Sequence, residues 1–207
     1  MNRLRPLFIT IALLFFTGWI GFVAYSYLQL GRLAPQSDSD GSLPPFQSGS
    51  AIRGAKVYAA EGCMTCHSQQ VRQTSVTRSD IDRNWGKRPS VARDYLREQV
   101  AFLGASRIGP DLSNVGVRAT DSAWYYRHLY EPATEVPGST MPAYRYLFKM
   151  QKIQGQPSEE AVALRGPHAP REGYEVVPTE EAKDLVAYLL SRKQDYSLPE
   201  VPPVPEK

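Results

Sequence analysis

Cys63-Met64-Thr65-Cys66-His67 places two thiols three positions apart and an imidazole directly after the second. C-x-x-C-H is the attachment signature of c-type haem. At a helix end, two thiols at that spacing can add to both vinyl groups of one porphyrin, and the adjacent imidazole then faces the iron. Two other chemistries use the same residue types. A thioredoxin-like redox pair expects a βαβ setting, and no strand pattern surrounds these cysteines. A structural zinc site needs about four ligands, but His128 and His168 are the only other imidazoles and no further Cys exists. A covalent haem c on Cys63 and Cys66, with His67 as an axial iron ligand, is therefore the expected centre.

The sixth iron position separates electron transfer from chemistry on a bound small molecule. A methionine-histidine pair belongs to electron carriers and raises the potential, whereas an open position admits gases. The candidates are Met64, Met141, Met150, His128 and His168. Met64 sits inside the attachment loop and cannot reach the opposite face. Met141 lies in Gly138-Ser139-Thr140-Met141-Pro142-Ala143-Tyr144, where the following proline restricts its backbone. That is a suitable setting for a sulfur ligand, although a solitary methionine is more often a packing residue. His128 falls in an aromatic helical stretch and reads as a core or haem-edge histidine. His168 lies in a Gly/Pro-rich loop and reads as exposed. A third feature is Arg107-Ile108-Gly109-Pro110-Asp111-Leu112. A ligand imidazole normally donates its other N–H to a fixed acceptor, and a Gly-Pro turn, with φ locked at the proline, offers a carbonyl rigidly. An ordinary surface turn is the competing reading.

The elements that must position these groups begin with an apolar segment. Pro6 to Gly31 holds no charge, and Leu7 to Leu30 spans 24 positions rich in Leu, Ile, Phe, Val and Ala. As a helix this reaches roughly 36 Å, enough to cross a hydrocarbon core of about 30 Å. A cleaved signal would have a shorter apolar region and an A-x-A-like site, so an uncleaved single-pass anchor over 6–31 is expected. Arg3 and Arg5 precede the span and Arg32 follows it. This bias predicts a cytoplasmic N-terminus and an exported remainder. Thr17, Gly21 and Ala24 share one face, a weak signal for a close helix neighbour.

Charge distribution supports the same topology. The 207 residues carry 24 basic and 21 acidic groups, a net of +3, and Arg3, Arg5 and Arg32 account for the excess. The neutral remainder argues against a nucleic-acid protein, whose basic excess should form a patch on the folded domain. The mean hydropathy of −0.38 averages an apolar start with a polar body.

Residues 32–50, rich in Ser, Gly, Pro and Asp, read as a flexible linker. A globular domain is expected over 51–194, with helices at 51–62, 120–130 and 179–193, and a Pro-rich tail over 195–207. In the third helix Thr179 is a suitable N-cap, and Ala182, Leu185, Val186 and Leu189 form an apolar stripe. No run of alternating strands is evident, and 151–178 reads as polar and irregular. The expected class is mainly α.

The segments Gly62-Cys63-Met64-Thr65-Cys66-His67-Ser68-Gln69, Gly109-Pro110-Asp111-Leu112 with Val115-Gly116, and His128-Leu129-Tyr130 through Val136-Pro137 to Met141-Pro142-Ala143-Tyr144 occur in that order. Together with the anchor, they resemble the membrane-anchored monohaem cytochrome c subunit of cbb3-type cytochrome c oxidases, subunit II, the FixO/CcoO family. The resemblance covers about residues 51–147 and the anchor. It implies a class I cytochrome c-like domain with long loop insertions, Cys63 and Cys66 as thioether sites, His67 and Met141 as axial ligands, and the Pro110 carbonyl, in its turn with Gly109, as support for the His67 ring. It further implies a bacterial inner-membrane chain whose haem domain is periplasmic and has no catalytic oxygen site of its own. The implied partners are the bilayer, a membrane haem-copper oxidase catalytic subunit, and other cytochrome c subunits or a soluble cytochrome c donor. Residues 73–105 match loosely and 148–178 do not align. A cytochrome subunit of another haem-copper enzyme, such as nitric oxide reductase, a free-standing tethered carrier, a haem sensor or peroxidase-like protein with an open sixth site, and an assembly subunit with an incidental haem remain as alternatives.

Overall fold

A computed structural model describes residues 4–31, 33–38, 41–73 and 79–201. Arg3, Arg32 and the last six residues of the Pro-rich tail lie outside the described residues. The chain forms two compact units, Met1–Leu43 and Pro44–Lys207.

In the first unit, α1 (Leu4–Trp19) runs through a π-helical turn (Ile20–Ala24) into α2 (Tyr25–Leu30). Within Leu4–Gln29 an 18-residue window has a mean hydropathy of 2.3, and the stretch is long and apolar enough to cross a membrane. Its apolar side chains are exposed around the whole circumference, including Phe15, Phe22 and Leu28, so no protein core explains the composition. The Thr10 and Thr17 hydroxyls donate back to the Pro6 and Leu13 carbonyls. Both threonine hydroxyls thus find an acceptor within their own helix, as an apolar surrounding would demand. A short antiparallel hairpin follows, β1 (Gln36–Asp38) with β2 (Gly41–Leu43), where the sequence suggested only flexible coil.

The second unit starts before the expected boundary. Pro44 is buried and its carbonyl accepts from Arg97 Nε at 2.7 Å, while the Arg97 guanidinium lies 3.5 Å from the Phe46 ring centre. The seven residues before Ala51 therefore include an anchor onto the globular unit, and Ser48 caps α3 (Gly49–Ala60) by accepting from Ala51 N.

The core is centred on α3 packed against α7 (Glu180–Ser191). The stripe Ala182, Leu185, Val186 and Leu189 is buried, as the i, i+3, i+4, i+7 spacing predicts, and Thr179 is the N-cap. Close approach of the two helices depends on Gly54, because a Cβ there would come within 1.8 Å of the Asp184 carbonyl oxygen. Tyr58 fills the contact, with its ring centre 5.3 Å from Tyr188 and 5.4 Å from Phe102. Beside this pair lie α4 (Val115–Arg118), α5 (Ser122–Tyr130), capped by Asp121 through Ala123 N and Trp124 N, and α6 (Pro132–Glu135).

The region 151–178, expected to be irregular, is not so throughout. β3 (Phe148–Lys152) pairs antiparallel with β4 (Tyr174–Pro178), from Phe148 opposite Pro178 to Lys152 opposite Tyr174. Phe148 meets the edges of Tyr126 and Tyr130 on α5, and Thr179 N donates to Leu147 O at 3.0 Å, so the hairpin ties α5 to the start of α7. The sequence reading missed both strands. β3 is exposed except at Phe148 while β4 is almost continuously buried, so neither alternates.

Residues 79–103 are largely loop, with a 3-10 turn at Ala92–Tyr95. They are latched to the segment after α7. Arg88, fully buried, holds Asp94 through two nitrogens at 2.7 and 3.0 Å and donates to the Tyr196 carbonyl at 2.8 Å. The Tyr196 hydroxyl returns to Asp94, and Gln194 bonds both Asn114 and Ser90. The described part of the tail therefore packs on the domain, with Leu198 buried.

Candidate haem site

The cysteine pair sits on a 3-10 turn, Cys63–Thr65, immediately after α3. Cys66 N and His67 N both donate to the Cys63 carbonyl, at 3.2 and 2.9 Å, so the backbone folds back on itself between the two thiols. The thiols are free and half-buried. Burial pushes Cys63 up to about 11, which keeps it a neutral thiol at physiological pH. Tyr144 is buried in the core cluster against which Cys63 packs.

A second loop, Gly109–Ser113, is bonded along the length of this segment. Gly109 N donates to Cys66 O at 3.0 Å, and Leu112 N to Ser68 O at 2.8 Å. Between these bonds, His67 Nδ1 lies 2.8 Å from the Pro110 carbonyl oxygen. A carbonyl can only accept, so Nδ1 carries the proton and Nε2 is left with its lone pair. Burial lowers the His67 pKa, against the opposing influence of the Pro110 bond, so the imidazole is neutral and fit to bind a metal. Gly109 lies flush against the ring: a Cβ there would come within 2.2 Å of His67 Cε1. The other flank of the turn is held by the end of the 79–106 loop, where Ala105 N donates to Met64 O and Ser106 Oγ to Thr65 O.

Met141 lies in the loop after α6, partly buried against the same core cluster that Cys63 contacts. Its N–H donates to Ser139 Oγ at 3.3 Å. Three residues on, Tyr144 N is fixed to Leu129 O of α5 at 2.8 Å, and the Tyr144 side chain is buried in the core cluster against which Cys63 packs. The structure thus brings Cys63, Cys66, His67, Gly109 and Pro110 together and anchors the Met141 loop beside them. His128 stacks on Trp124, with centres 4.7 Å apart and planes 9° apart. Its Nδ1 is buried without a hydrogen-bond partner. His168 sits in a short 3-10 turn beside Arg145 and Glu131, and Met64 and Met150 are exposed. Sequence reading quoted Ser68, Asp111 and Tyr144 within its motifs but gave them no role; the bonds of the Asp111 carboxylate to Ser68 and Gln70 cross 40 or more intervening positions.

These residues fit one haem: two free thiols, a neutral imidazole with one nitrogen free, and a glycine cradle behind that ring. Among the described residues no group of three or more His, Cys, Asp or Glu side chains could hold a metal ion. A family model described as cytochrome C oxidase, mono-heme subunit/FixO, matches residues 38–191. No curated protein matches the chain.

Proposed function

This chain belongs to the FixO family of mono-heme cytochrome c oxidase subunits, and from that premise we propose that it relays single electrons to a membrane haem-copper centre that reduces oxygen. The reading rests on His67, whose Nδ1 is engaged by Pro110 O at 2.8 Å beside two free thiols. A haem held there supplies a one-electron Fe(III)/Fe(II) couple.

Cys63 and Cys66 would fix that haem as two thioethers, and His67 Nε2 and the Met141 sulfur would be its axial ligands. A haem held by both ligands would pass electrons without an acid, base or nucleophile from the chain. Its residues set the donor strength of the imidazole, exclude water and hold the group in place. The Pro110 carbonyl fixes the ring and increases the electron donation of its free nitrogen. The apolar helix would serve as a single-pass anchor with the haem unit on the periplasmic side, close to a membrane acceptor. Another cytochrome c, soluble or a companion subunit, would be the electron source.

The test is purification of the tagged full-length chain from detergent-solubilised membranes, with haem analysis and identification of companion subunits. The expected result is haem that stays with the polypeptide on a denaturing gel, a reduced form that does not bind carbon monoxide, and a copurifying haem-copper subunit. Ready carbon monoxide binding would overturn the two-ligand relay, and a chain free of any haem-copper subunit would favour an independent tethered carrier.

A further inference from the structure

We propose that Asp111 is a positioning residue for the His67 imidazole, acting as a buried clasp between the ligand segment and the loop that supports it. Asp111 has no exposed surface. Its Oδ2 accepts from Ser68 Oγ at 2.6 Å and from Gln70 N at 2.7 Å, and its Oδ1 accepts from Ser113 N at 2.9 Å. Ser68 is the residue after His67, and Asp111 is the residue after Pro110. The clasp therefore closes one position beyond each partner of the His67–Pro110 bond and leaves little room for those two groups to separate.

The remaining bonds between the two segments are backbone contacts, Gly109 N to Cys66 O and Leu112 N to Ser68 O. They set the spacing of the segments. The carboxylate adds a side-chain tie at the residue after His67, and its bonds involve a charged acceptor, so they exceed neutral ones in strength. Two cations bear on this loop. Arg107 lies 3.8 Å from Asp111 Oδ2 and is itself held by Asp80 and the Gln70 carbonyl, and Arg118 donates to the Asp111 backbone carbonyl. The clasp is thus braced from outside by groups that do not touch the imidazole.

The functional consequence follows from the bond that the clasp protects. A ligand imidazole whose N–H is firmly held is a stronger donor to its metal, and stronger donation favours the oxidised iron. Loosening the clasp should weaken the His67–Pro110 bond and shift the potential upward. Loss of the nearby negative charge acts in the same direction.

This inference rests on the assignment of His67 as an iron ligand. Its test uses full-length, haem-loaded protein in detergent, with D111N and S68A variants. D111N keeps the side-chain shape, but its amide cannot accept on both sides, and S68A removes one tie without changing charge. The readouts are the reduction potential and the low-spin ferric electron paramagnetic resonance spectrum, which reports ligand orientation. Expected are haem content equal to the unaltered protein, a potential shifted positive in D111N and less so in S68A, and altered g-values in both. An R88M control, which loosens the remote tail latch, is expected to leave potential and spectrum unchanged. If D111N does not assemble, S68A decides alone. Unaltered potential and g-values in a haem-loaded variant overturn the positioning role, as does an equal shift in R88M. Loss of histidine ligation in the unaltered protein would instead overturn the reading on which the proposal rests.

Discussion

Gly109 and His67 are in such close apposition that any side chain at position 109 must displace either the imidazole or the loop: a Cβ there would come within 2.2 Å of Cε1 and 2.7 Å of Nδ1. The ring is thereby confined between a glycine face and the Pro110 carbonyl at 2.8 Å. Its orientation is set by backbone atoms, which cannot change rotamer.

A Gly109→Ala change therefore pushes either the ring off its acceptor or the loop off the ring. Overpacking of this kind costs about 1–3 kcal/mol, and here it falls on the ligand side chain. The expected outcome is reduced haem per polypeptide, with the retained fraction showing a raised potential. Haem quantitation against protein mass, followed by redox titration, measures both. Full haem content with an unaltered potential would show that the loop relaxes without moving the ring.

Met141→Ala should open the sixth position. Thioether coordination raises the potential of a histidine-ligated haem, so the variant's midpoint should fall, by part of the roughly 0.8 V range over which axial ligands act. The reduced form should also become able to bind carbon monoxide. The fold should persist, because Met141 is only partly buried and Tyr144 N, three residues on, remains tied to Leu129 O. A spectrum and potential identical to those of the unaltered chain would exclude Met141 as the ligand.

The latch between the 79–103 loop and the tail predicts a different kind of change. Arg88→Met leaves Asp94 buried without its cation, although the Tyr196 hydroxyl and Val91 N still donate to it. Removing one partner of a buried pair costs about 3–5 kcal/mol. The expected signature is a lower denaturation midpoint with the haem spectrum preserved, since the latch lies outside the His67 contacts. Arg53→Ala is the contrasting variant. Arg53 bonds Asp184 through two nitrogens, at 2.7 and 2.8 Å, but its side chain is 59% exposed, so its midpoint should move little.

How much of this was readable in the chain depends on distance along it. The attachment turn and α7 were legible because their signals are local: two cysteines and a histidine within five positions, and a stripe of Ala182, Leu185, Val186 and Leu189 behind a threonine cap. The hairpin of β3 and β4 was not, because its strands are separated by 21 residues and their burial patterns do not alternate. Asp111 reads in sequence as a polar turn residue. It is buried because its acceptor oxygens meet Ser68 and Gln70, more than 40 positions earlier. The docking of Pro44 and Phe46 is similar: a Pro/Ser-rich composition suggests coil, and the remote Arg97 supplies a partner that orders it.

His128 gives a pH prediction whose sign follows from its burial. Its Nδ1 is enclosed without a partner, its ring stacks on Trp124, and burial lowers its pKa from the ordinary 6.5, with Glu135 opposing. A histidine with a depressed folded-state pKa takes up its proton more readily when unfolded. Its contribution is therefore fully favourable above about 6.5, and stability is lost as pH falls through that value toward the lower folded pKa. His67 would be bound to iron in the haem-loaded protein, which removes its own titration from this window. Denaturant midpoints of the haem-loaded chain should then decline between pH values of about 7.5 and 5.5, above the range where carboxylates dominate. His128→Phe keeps a flat ring against Trp124 and removes the titrating group, so it should flatten that decline. An equally steep decline in the variant would assign the effect to another group.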